Sequence, residues 1–70
     1  MNDLPQIVEQ AFDRAIQSPC PARWKSVSVV AGCAAVRMAA EDKLFLAAQL
    51  EGVAEEARRQ MLAMMPKVAA

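Results

Sequence analysis

The sequence predicts an all-α protein: a short N-terminal helix followed by a long antiparallel helical hairpin that self-associates into an oligomeric bundle. Three observations carry this. Apolar residues recur at helical spacing through three segments, about 4–17, 21–40 and 43–65, leaving 66–70 as a frayed tail. Between those segments the pattern breaks only at the prolines around Cys20 and at Glu41–Asp42, with no low-complexity linker. Finally, 56% of the 70 residues are hydrophobic. A chain of this size buries only about 60% of the surface its unfolded form exposes, so it is marginal alone, and another subunit is the expected support.

The first helix has its start signals in place. Asp3 is spaced to cap it and Gln6 completes a capping-box interval. Pro5 fits the first turn, where a missing N–H loses nothing. Leu4, Ile7, Val8, Ala11, Phe12, Ala15 and Ile16 then share one face. Pro19 ends the helix, because the residue before a proline disfavours the α conformation.

The second helix opens at Pro21, a favoured residue for the first helical position, with Cys20 or Ser18 at the cap. Its seam runs through Trp24, Val27, Ala31, Ala34 or Ala35, and Met38. Its middle is apolar nearly all round, which predicts burial on more than one side and places Cys33 in a core. Small residues recur along it and permit close helix approach. Extending the seam would bury Glu41 or Asp42, so the helix breaks there and Asp42 is expected to cap the third. The third seam is Leu46, Leu50, Val53, Ala57, Met61 and Met64. Gly52 weakens this helix by about 1 kcal/mol against alanine and suggests another close approach.

Several function classes are excluded or disfavoured. The longest uncharged stretch, Ser26–Val36, is too short to span a bilayer. No signal peptide is legible, which predicts a cytoplasmic protein with reduced thiols. Cys20 and Cys33 can form one disulfide at most, and without histidine no metal site is expected. No catalytic residues and no cofactor motif are legible, so no enzyme is expected. Glu55, Glu56, Arg58 and Arg59 read as a solvated helix face, and Cys20 has no base partner. The net charge is zero and there is no basic recognition helix, which argues against a nucleic-acid polymer as partner.

The charge distribution is more informative than its sum. No acidic residue lies between Asp13 and Glu41, and the charges in that window are Arg14, Arg23, Lys25 and Arg37. A basic window in a neutral protein points to a confined anion site. At its centre lies SPCPARWKS, Ser18–Ser26. A helix N-terminus there favours phosphate, and Arg23 can bind one in a bidentate way. Lys25 adds charge, Ser18 and Ser26 add hydrogen-bond donors, and Trp24 offers a face for a base. The candidate ligand residues are Arg23, Trp24, Lys25 and Ser26. The same residues also suit an ordinary bend, with Trp24 as a buried plug on the seam.

The segment PARWKSVSVVAGCAAVRMAA, Pro21–Ala40, resembles the hairpin domain of phage cyclic-oligonucleotide sponges, the anti-CBASS and anti-Thoeris proteins. Pro21, Arg23 and Ser26 match its Pro-x-Arg-x-x-Ser bend, Lys25 also matches many members, and Ala35 and Ala39 match small positions. The chain departs from the pattern at Val30 and Ala31, where the family has threonine and a charged residue, at Gly32 or Cys33 for an acidic position, and at Arg37 or Met38 for an aromatic. The resemblance implies a small helical homo-oligomer that sequesters a cyclic nucleotide without cleaving it, in a host cytoplasm. It implies phosphate or ribose contacts for Arg23, Lys25 and Ser26. The alternative expectation is a helical inhibitor that contacts a host protein through its apolar surface, including Met61, Met64 and Met65.

Overall fold

The computed structural model describes residues 5–65. These form three helices: α1 (Gln6–Gln17), α2 (Pro21–Ala40) and α3 (Leu44–Met64). The expected Asp3 cap, the Leu4 position and the tail 66–70 lie outside the described residues.

α1 begins behind Pro5, whose carbonyl accepts from the Val8 and Glu9 N–H groups at 3.0 and 3.2 Å. It ends at Ser18, whose N–H donates to the Arg14 carbonyl at 3.0 Å, and Pro19 prevents continuation. Cys20 stands at the N-cap of α2 in an extended conformation, with Pro21 in the first turn, but its side chain caps nothing. Cys20 and Cys33 are both free. Thirteen positions apart along mostly helical rise, about 20 Å, they lie beyond disulfide reach.

The turn between α2 and α3 corrects one expectation. Asp42 does not cap α3; it terminates α2. Its φ of 63° is left-handed. Its N–H donates to the Ala39 carbonyl at 3.1 Å, and the Lys43 N–H reaches back to the Met38 carbonyl at 2.8 Å. This pair of bonds is the Schellman arrangement, which satisfies carbonyls left unpaired at a helix end. The left-handed residue in it is commonly glycine, and a short polar side chain such as aspartate tolerates the same backbone. Lys43 takes the N-cap position of α3, and its carbonyl accepts from the Ala47 N–H at 2.9 Å.

The three-residue turn makes α2 and α3 an antiparallel pair. As α2 advances from Val27 to Ala35, its core partners on α3 step back from Ala57 to Leu50. α1 lies across this hairpin and contributes Val8 to one end of the core and Ala15 to the other. The first cluster gathers Val8, Ala31, Ala35, Leu50 and Ala54; the second gathers Ala15, Trp24, Val27 and Ala57. Leu50, Val8 and Val27 are the largest side chains fully withdrawn from water. Alanine at Ala31, Ala35, Ala54 and Ala57 keeps the helices close, as the small-residue pattern predicts.

The seams predicted for α2 and α3 hold in outline, with the α3 line displaced. On α3 the buried line is Ala47, Leu50, Ala54 and Ala57, while Leu46, Val53 and Met61 are half-buried beside it and Met64 is exposed. On α1, Ile7 and Ile16 are exposed although they share the apolar stripe, because one narrow contact cannot cover so wide a face. Cys33, expected in a core, is exposed, as are Val29 and Val36. Burial of α2 on more than one side is therefore absent from the single chain. Among the described residues, no helix is long and apolar enough to cross a membrane.

Candidate functional site

The bend at residues 18–20 folds α1 back along the first turns of α2. This places Arg14, near the end of α1, beside Arg23 and Ser26 of α2. Together with Ala11, Cys20 and Ala22 they line an open groove of about 330 Å³.

The groove is electrostatically one-sided. No acidic residue lines it, and none occupies the first turn of α2. Among the described residues the ion pairs are Lys43–Glu41 at 3.4 Å and Arg59–Glu56 at 3.0 Å, so neither Arg14, Arg23 nor Lys25 is neutralised by a partner. Among the described residues, Arg23 makes a side-chain hydrogen bond from Nη1 to the Cys20 sulfur, at 3.8 Å. A sulfur is a weak acceptor and leaves the guanidinium fork available. The start of α2 adds the positive end of its dipole. Its free donors are few: Pro21 has no N–H, and the Arg23 and Trp24 N–H groups already donate to the Cys20 carbonyl at 3.1 and 3.2 Å. The groove therefore presents polar side chains more than free backbone donors.

The four candidate ligand residues separate in the structure. Arg23 and Ser26 share the groove. Lys25 is exposed on the next strip of α2 and does not line it. Trp24 points the other way. It is only 7% exposed, packs in the core cluster with Val27 and Ala57, and meets Phe12 edge to face at 5.6 Å with the rings at 83°. Its indole therefore offers no stacking face to a ligand. Among the described residues its buried Nε1 has no hydrogen-bond partner. The helical period explains the split: residues 22, 23 and 26 fall on one side of α2, and residue 24 falls on the opposite side.

Arg14 is the residue that sequence reasoning did not place in the site. The signal was its membership of the acid-free window. Its position on α1 concealed that the bend returns the chain beside it.

Among the described residues, no three histidine, cysteine, aspartate or glutamate side chains come together as metal donors. Glu56 accepts from Arg59 at 3.0 Å and from Gln60 at 2.8 Å on the outer side of α3.

Comparison with protein-family models, with curated proteins and with solved structures finds no match for the chain.

Proposed function

We propose that the protein is a non-enzymatic, homo-oligomeric binder of a small anionic nucleotide, acting by sequestration as the sponge resemblance implies. The observation that carries this reading is the groove in which Arg14, Arg23 and Ser26 converge without an acidic neighbour. In it the arginines take phosphate oxygens, Ser26 donates to phosphate or ribose, and Lys25 draws the ligand in from the adjoining face. A cyclic nucleotide fits this chemistry because it offers phosphodiester charge and ribose hydroxyls in a compact shape. Trp24 drops out of the ligand set and becomes the packing residue that fixes α1 against α2.

Isothermal titration with a panel of cyclic di- and trinucleotides tests the reading. Binding to one of them is expected, and Arg14→Ala with Arg23→Ala should weaken it by at least about a hundredfold, since each charged hydrogen bond contributes about 1.5–3 kcal/mol. No heat from any nucleotide, with the protein folded, contradicts it.

A second reading is supported by a different observation. Leu44 and Phe45 are 67% and 79% exposed at the hairpin turn, and Met64 and Met65 are exposed at the far end of α3. Such surface suits contact with a host protein. Stoichiometric capture of one host protein that survives Arg23→Ala with Lys25→Ala, but not changes at Met61, Met64 and Met65, favours this reading over the first.

A further inference from the structure

We propose that the face of the α2–α3 hairpin turned away from α1 is a self-association surface, and that its occupant is a second copy of the same chain lying across Gly32 and Gly52. The proposal rests on the self-association part of the reading above and not on its nucleotide part.

The glycines are the first observation. Each weakens its helix relative to alanine. Neither is required by the packing of the single chain, because a Cβ built at Gly32 or at Gly52 would have nothing within 4 Å. Yet both line the same open groove of about 450 Å³ between α2 and α3, alongside Ala35, Ala48 and Ala54. A floor made of two glycines and three alanines has the shape that lets another helix approach backbone to backbone. No residue of α1 lines it.

On its α2 side the groove is flanked by apolar residues where a folded chain alone would favour polar groups. On α2, Val29 and Val36 flank Gly32 at helical spacing and are 55% and 72% exposed. On α3, Leu44 and Leu62 stand at the two ends of the line that passes through Ala48, Glu51 and Glu55, and are 67% and 60% exposed. The exposed valines make an apolar strip beside the groove on α2, surface of a kind that marks an interaction site.

The charges on this face indicate a copy of the same chain as the occupant. Glu51, Glu55 and Arg58 line the groove, and Lys25 continues the Val29–Gly32 strip. Two carboxylates and two cations make the face neutral, and none of the four is used in an ion pair among the described residues. A two-fold copy presents the same mixed set, so each sign can meet its opposite.

The available area is sufficient. The chain is a slab whose Cα atoms span only 14 Å in the thinnest direction. Its hairpin presents two helices about 30 Å long at an axial separation of about 8–10 Å, a face of roughly 600 Å². Two such faces bury about 1,200 Å² in total, the lower bound for a specific stable interface.

Sedimentation equilibrium of the full chain, with circular dichroism on the same samples, tests this. The wild type is expected at no less than twice the 7.6 kDa chain mass at micromolar concentration. Gly32→Leu with Gly52→Leu should keep the helix content, since both positions are open within the chain, and raise the dissociation constant by at least about a hundredfold. Val36→Lys, at a side chain already in water, should dissociate the assembly without touching a glycine. A wild type that stays at the chain mass overturns the proposal, and so does an assembly that survives both variants. An assembly lost in these variants, together with no heat from any nucleotide, would retain this surface and remove only the binding reading.

Discussion

Trp24 is where the packing of the fold and the sequence expectation of a stacking face make opposite demands, so its replacement is the most informative single perturbation. If the indole is core, Trp24→Ala removes a side chain 7% exposed and its edge contact with Phe12. Large aromatic-to-alanine changes in a core cost about 3–5 kcal/mol. A chain of 70 residues has a total stability of about 4–10 kcal/mol at typical values per residue. The variant should therefore lose most of its stability, with a midpoint lower by at least about 12 °C at about 4 °C per kcal/mol. Trp24→Phe behaves differently. It keeps an aromatic ring facing Phe12 and deletes Nε1, which is buried without a partner. Leaving such a donor unsatisfied costs about 1–3 kcal/mol, which offsets the lost packing and holds this variant within about 1 kcal/mol of wild type. Urea unfolding followed by far-UV circular dichroism reads both changes without needing the tryptophan signal. If Trp24→Ala costs less than about 1 kcal/mol, the indole is not core and its face is free for a ligand. If Trp24→Phe is as damaging as Trp24→Ala, Nε1 has a partner and the reasoning about the orphaned donor fails.

Other consequences are narrower. Leu50→Ala should cost about 2–5 kcal/mol in the same urea assay, because Leu50 is fully buried where all three helices meet. Asp42→Val should destabilise by about 1–2 kcal/mol, whereas Asp42→Gly should not, because the φ of 63° penalises a β-branched residue and not glycine. Glu56→Ala should change stability by no more than about 1 kcal/mol despite its bonds to Arg59 and Gln60, since the Arg59–Glu56 pair is largely in water.

The helices were legible because their causes are local. Pro5, Pro19 and Pro21 set starts and stops, and the 3.6-residue period fixed which side of α2 carries Trp24, Val27, Ala31 and Ala35. The α2–α3 boundary was legible, but the role of Asp42 was not. An aspartate before a helix and one after a helix look alike in sequence, and only the backbone bonds to Ala39 and Met38 distinguish them. Cys33 was misplaced for a related reason. An all-round apolar helix predicts burial, but one chain has too few elements to cover α2, so Val29, Cys33 and Val36 stay in water. The candidate site was half legible. Charge counting found the window and the bend, yet counting along the chain could not separate Trp24 from Arg23, which lie next to each other and on different sides of one helix. Nor could it bring in Arg14, whose place in the groove depends on the return of the chain through Pro19.

The central claim joins two parts, self-association and a bound nucleotide, and native mass spectrometry of protein purified from cells tests both at once. The account predicts a mass of at least two 7.6 kDa chains carrying an added small-molecule mass that is lost from Arg14→Ala with Arg23→Ala. A bare single chain, or an assembly whose added mass is indifferent to both arginines, would contradict it.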